Sequence, residues 1–201
     1  MKLYYSPGAC SMSPHIVLHE SGLPFSLEKV DLRTKKTETG ADYTAICPKG
    51  QVPALQLDSG EILTEGPAIV QYIADRAPAK KLAPAAGTLQ RYRLFEWLNF
   101  ISTELHKSHT PLFRSALPDE YKQTLLQNIG NRYSYVAQQI EGKDYLLGET
   151  FTVADAYLFT ILGWASHVGI DLSQWPTLQA YQQRISARPS VQTVLKAEGL
   201  M

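Results

Sequence analysis

The stretch Gly50-Gln51-Val52-Pro53-Ala54-Leu55, followed nine residues later by Thr64-Glu65-Gly66-Pro67, joins an interrupted strand to an acidic helix start. Val52 to Leu57 is a β-prone run whose proline cannot donate to a ladder. A cis Val52–Pro53 bond in a tight turn resolves that conflict. Such a turn leaves the Val52 amide and carbonyl facing outward, where an extended ligand can pair with them as one more strand. Glu65 and Gly66 fall where the next helix begins. Free amides and the positive dipole end favour a carboxylate there, and the Glu65 side chain can hold an ammonium. An α-amino acid terminus carries both charges. Each element alone also fits an ordinary edge strand, hairpin and helix cap; order and spacing together point to a clamp for a small peptide.

On the N-terminal side, Lys2 to Tyr5 reads as a strand, Pro14 to Glu20 as a helix stopped near Gly22, and Phe25 to Val30 as a strand, which makes a βαβ unit. Thr34 to Tyr43 is polar and has no clear pattern. The proline-bearing strand then turns at Asp58-Ser59-Gly60 into Glu61 to Leu63, and Pro67 to Arg76 reads as a helix, completing ββα. Ala77 to Gly87 carries two prolines without amphipathic spacing, as a linker would. From Thr88 onward the patterns are helical: Leu94, Leu98, Ile101 and Leu105 form one apolar seam, with breaks at Pro118, Gly142 to Gly148 and Trp175-Pro176. The expected organisation is an α/β domain over 1–77, a linker over 78–87 and an all-helical domain over 88–201.

Formal net charge is zero, so no global field favours nucleic acid or an anionic membrane. Met1 to Pro7 lacks the apolar core of a secretory signal, and the apolar run around Ala156 to Trp164 is too short to span a bilayer. The chain is therefore expected to be soluble and cytoplasmic. Cys10 and Cys47 lack CxxC spacing and a companion histidine cluster, which argues against a disulfide framework and structural zinc. No metal site is expected.

Cys10 lies just before a helix whose start, near Ser11 to Pro14, suits proline. Helix amides favour thiolate over thiol, so Cys10 is expected to be acidified and reactive, although a small buried cysteine is the bland alternative. Cys47 precedes Pro48 and has no such neighbour, as a structural loop cysteine would. Asn99, Thr103 and His106, at i, i+4 and i+7, share one helical face rotated from the leucine seam. By itself that stripe fits a solvated flank better than a ligand site.

The whole arrangement resembles the glutathione transferases: a thioredoxin-like domain with a cis-proline strand, then a helical bundle. It is most similar to their bacterial beta class, on Cys10 within Ser6-Pro7-Gly8-Ala9-Cys10-Ser11 and on His106-Lys107 in the first long helix. Phe151-Thr152-Val153-Ala154-Asp155-Ala156 adds a capping box with staple spacing, a folding element. The resemblance implies a glutathione site. Glu65 would take the γ-glutamyl ammonium, the Gly66 amide its carboxylate, Val52 the cysteinyl backbone and Lys35 the glycine carboxylate, with Gln51 and Pro53 completing the clamp. Lys35 also belongs to the solvated run Arg33 to Lys36, and Leu32 would only wall the pocket. In the helical domain, Asn99, Thr103, Glu104, Leu105 and Lys107 join the glutathione set, and His106 joins Cys10 as catalytic. Glu104 would alternatively face a second subunit of a homodimer.

Many glutathione transferases carry serine where this chain has Gly66, so the site lacks one hydroxyl contact, roughly 0.5–1.5 kcal/mol. Tyr5 and Ser11 are further candidates for activating a thiol, ranked behind Cys10. The implied activity transfers the glutathione thiolate to small hydrophobic electrophiles, in detoxification, with glutathione as co-substrate and no resident cofactor. Pro7, Phe113 and Tyr157 would line the electrophile pocket. Two other readings stay open: thiol–disulfide exchange through Cys10, and a noncatalytic binding or interaction protein on the same fold.

Overall fold

The computed structural model describes residues 1–113 and 116–201. Two compact units emerge, one from Met1–Ala83 with Arg188–Met201 and one from Pro84–Ala187. The first is built on a five-stranded sheet: β1 (Lys2–Tyr5), β2 (Ser26–Asp31), β3 (Lys36–Thr37), β4 (Ala54–Gln56) and β5 (Ile62–Thr64), in the order β3-β2-β1-β4-β5. β1 and β2 pair in parallel, as a βαβ connection requires, and every other pair is antiparallel. α1 (Met12–Ser21) makes the crossover and ends where Gly22 takes φ 69, with the Gly22 amide donating to the His19 carbonyl. α1 and α3 (Gly66–Arg76) pack against each other, burying Ile16, Val17, Ile69, Val70 and Ile73.

The polar stretch from Thr34 to Tyr43 is more ordered than its pattern suggests. It holds β3 and runs into the short α2 (Tyr43–Ile46), capped by Asp42, whose carboxylate accepts from the Thr44 amide at 2.9 Å. A two-residue strand and a four-residue helix are too short to print a period. The chain also ends differently from the expected 88–201 grouping. α9 (Pro189–Ala197) packs on α1 in the sheet unit, held by two bonds from Arg188 to Glu20 at 2.8 and 3.0 Å and one from the Ser190 hydroxyl. Burial opposes the charge on Glu20, but the Arg188 and Ser190 hydrogen bonds hold its carboxyl below the usual range.

The helical unit begins with α4 (Leu89–Phe100), whose cap Thr88 accepts from the Arg91 amide at 3.2 Å. A π-helical turn, Ile101–His106, follows, then α5 (Lys107–His109), α6 (Asp119–Gln139), α7 (Val153–Leu162) and α8 (Pro176–Ser186). Leu94, Leu98, Ile101 and Leu105 are all buried, so the seam is a core seam. Among the described residues no helix is long and apolar enough to cross a membrane.

α7 is buried along its whole length and starts at the anticipated capping box. The Asp155 carboxylate accepts from the Leu146 amide, the Thr152 amide and hydroxyl, and the Tyr181 hydroxyl, at 2.8–2.9 Å. Burial still outweighs these donors and pushes its carboxyl up. Asp155→Ala leaves several buried donors without an acceptor and is expected to lower stability by about 3–5 kcal/mol. A urea midpoint falling at constant m-value checks this; a loss under about 1 kcal/mol contradicts it.

Candidate active site

The Val52–Pro53 peptide bond is cis. Around it the backbone is tethered from within the sheet unit. The Gln51 carbonyl accepts from the Tyr43 hydroxyl at 2.8 Å and weakly from the Cys47 thiol at 3.8 Å. The Val52 carbonyl accepts from the Cys10 thiol at 3.2 Å. No hydrogen bond to a described residue engages the Val52 amide. Two residues earlier, Gly50 sits at φ 60, and its carbonyl accepts from the Lys35 ammonium at 2.8 Å. Lys35 is thus drawn out of its solvated run to the clamp; Leu32 stays exposed.

Glu65 caps α3 at φ 70, ψ 113, in the left-handed half of the map where a non-glycine residue costs roughly 1–3 kcal/mol. That conformation turns the chain so that the Gly66 amide opens beside it, while Pro67 has no N–H and the Ala68 and Ile69 amides donate back to the Glu65 carbonyl at 3.0 Å. The Glu65 carboxylate meets the Lys49 ammonium at 2.6 Å on the surface, an exposed pair that a ligand ammonium can replace at small cost. A Cβ added at Gly66 would meet the Pro53 ring at 3.9 Å, ordinary contact, so the missing hydroxyl is not excluded by space.

Cys10 ends a closed loop. Ala9 donates to the Ser6 carbonyl at 3.1 Å, and the Ser11 hydroxyl links the Ser6 amide and carbonyl at 3.1 and 3.2 Å. Gly8, at φ 70, donates its amide to Glu198 at 2.8 Å, and the other Glu198 oxygen meets His15 Nδ1 at 2.8 Å with both side chains fully buried. Glu198 was not visible in the sequence as a site residue: it lies 190 positions from Gly8 and carries no local signal.

The acidified thiol expected at Cys10 is not what the structure holds. Burial pushes it from 9.0 up to about 12, and the Cys10 and Ser11 amides only partly oppose that. Tyr5 is also pushed up, by burial and then by Glu38 and Glu198, and Ser11 is committed to the loop.

The helical-unit candidates form their own group. The π turn breaks the regular 100° spacing assumed for Asn99, Thr103 and His106, so they are not a simple helical stripe. The Thr103 hydroxyl donates to the Asn99 carbonyl at 3.0 Å, and both residues are exposed, as is Lys107. His106 Nδ1 lies 2.7 Å from the Tyr157 hydroxyl and packs edge-on to Trp164, which also meets Phe113. Tyr157 is buried behind His106, a support more than a pocket wall; Phe113 is exposed and Pro7 half-buried. Glu104 pairs with Arg132 of α6 at 2.9 Å within the same unit, and Leu105 is fully buried, serving the core.

Residues 8–76 match the family described as "Glutathione S-transferase, N-terminal domain", and residues 100–189 match "Glutathione S-transferase, C-terminal domain". The chain is 50% identical over 200 residues to glutathione S-transferase GstA of Escherichia coli O157:H7, covering 100% of both. It is similar to a sphingomonad glutathione S-transferase complexed with glutathione, at 50% identity and TM-score 0.96 over 100% of each chain. The bacterial beta class glutathione S-transferase of Sphingomonas chungbukensis is 52% identical, with TM-score 0.96 and the same coverage.

A thiol with a pKa far above neutrality gains thiolate tenfold per pH unit across the whole neutral range. In a Cys47→Ala background, alkylation of ligand-free Cys10 by iodoacetamide is therefore expected to accelerate about tenfold per unit from pH 6 to 9. A rate that levels off near neutral pH would restore the acidified thiol.

Proposed function

Because this chain belongs to the glutathione S-transferase family, we propose that it transfers the glutathione thiolate to small hydrophobic electrophiles, with the sheet unit clamping the peptide. The observation that carries this reading is the pairing of an unengaged Val52 amide with Glu65 held at φ 70 on a helix start. The amide and carbonyl of Val52 suit the cysteinyl backbone of an added strand, while Glu65 and the Gly66 amide suit the two charges of the γ-glutamyl end. Lys35 reaches the same loop and takes the glycine carboxylate. Gln51 and Pro53 complete the clamp. In the helical unit the beta-class resemblance assigns His106 and Lys107, with Asn99 and Thr103, to the same ligand.

The reaction forms a bond from the glutathione sulfur to the electrophilic carbon as the leaving group departs with its bonding pair; the thiol proton passes to water. Orientation and stabilisation of the thiolate are the protein's contribution. Cys10 enters as a neutral thiol, able to turn its S–H from the Val52 carbonyl toward the ligand sulfur. Exchange with glutathione disulfide would need the Cys10 thiolate to attack one sulfur and expel glutathione thiolate, and the raised pKa makes that the slower chemistry. Exposed Leu89 and Tyr92 on α4 fit burial against a second copy in a homodimer.

Wild-type protein is expected to be retained on immobilised glutathione and to turn over a chromogenic aryl halide; neither binding nor turnover would reject the reading. Cys10→Ala should keep conjugation while losing disulfide reduction, and equal loss of both would make Cys10 essential to each. Gly66→Ser restores the hydroxyl where space allows and should lower KM for glutathione roughly two- to tenfold. An unchanged or raised KM would remove Gly66 from the carboxylate contact.

A further inference from the structure

We propose that Tyr43 is the positioning residue for the ligand-reading amide: its hydroxyl fixes the Gln51–Val52 peptide so that the Val52 N–H points outward. The proposal rests on the clamp reading above and deepens it. The carbonyl of Gln51 and the amide of Val52 belong to one planar unit, and this bond is trans, because the cis bond lies one residue later. In a trans peptide C=O and N–H point in opposite directions. Whatever holds the carbonyl inward therefore turns the amide out.

Tyr43 is placed to do this. Its side chain is fully buried in a cluster with Tyr4, Val30, Cys47, Val52 and Ala54, and its ring leans on Tyr4 at 5.6 Å. The hydroxyl donates to the Gln51 carbonyl at 2.8 Å. Burial and nearby Cys47 push its pKa far up, so the O–H stays a donor throughout the working pH range. Cys47 adds only a weak thiol donor at 3.8 Å. The peptide otherwise belongs to neither helix nor strand and follows Gly50 in the left-handed region. A flip there would present a carbonyl where the ligand's own carbonyl must pair. Tyr43 also donates its amide to the Lys35 carbonyl at 2.8 Å, so one residue sets both sides of the clamp.

The test compares wild type with Tyr43→Phe, which removes one hydroxyl and keeps the ring that the core needs. S-methylglutathione affinity by titration calorimetry is expected to weaken about five- to tenfold, the scale of one hydrogen bond. KM for glutathione should rise by the same factor, with kcat and the electrophile KM within about twofold, as for lost uniform binding. The Val52 amide resonance, shifted by ligand in wild type, should shift less in the variant. Wild-type binding with a variant within twofold of it overturns the positioning role, even if the variant melts earlier. A fall in kcat at unchanged KM also overturns it. If wild type itself does not bind S-methylglutathione, the glutathione reading fails and the positioning role falls with it.

Discussion

The site depends on one peptide unit being held from the inside. The Gln51 carbonyl is tied to Tyr43 in the core and the next carbonyl, Val52, to Cys10, so two successive acceptors are satisfied by buried or half-buried donors. Both tethers come from elements fixed elsewhere: Tyr43 from the capped turn after β3, Cys10 from the loop before α1. Leaving the hydroxyl of the fully buried Tyr43 unpaired would cost roughly 1–3 kcal/mol, which makes this arrangement the low-energy one for the loop. The amide of Val52 is what remains for a partner, and β1, β4 and β5 supply the rigid frame around it.

Cys10 illustrates why a residue's place in sequence does not settle its chemistry. A helix start favours the thiolate by about 0.3–1 kcal/mol, and up to ~2 in partly buried geometry. Raising a thiol from 9.0 to about 12 corresponds to roughly 4 kcal/mol against ionisation. Desolvation therefore wins, and Cys10 rests as a hydrogen-bond donor.

Local physics was readable and non-local physics was not. The cis proline, the hairpin, the Gly22 stop and the Thr152–Asp155 box each depend on a few adjacent residues, and each stands where its residues imply. β3 and α2 are too short to leave a period. The π turn at Ile101–His106 inserts no telltale glycine or proline, so a face drawn at regular spacing mixes residues that the backbone separates. The burial that raises Cys10, and the partnerships of Glu104 with Arg132 and of His106 with Tyr157, exist only once the chain has folded.

The last fourteen residues carry the same lesson to the Cys10 loop. Glu198 is fully buried only because α9 packs on α1, and α9 is held there by Arg188 and Ser190 on Glu20. Its carboxylate then serves Gly8 and His15 at once. Gly8 at φ 70 needs no side chain and offers its amide, so a negative charge from the chain's far end closes the loop that delivers Cys10 to Val52. The geometry of the N-terminal clamp is in this sense completed by α9: without it the Gly8 amide and His15 would both lose the Glu198 carboxylate.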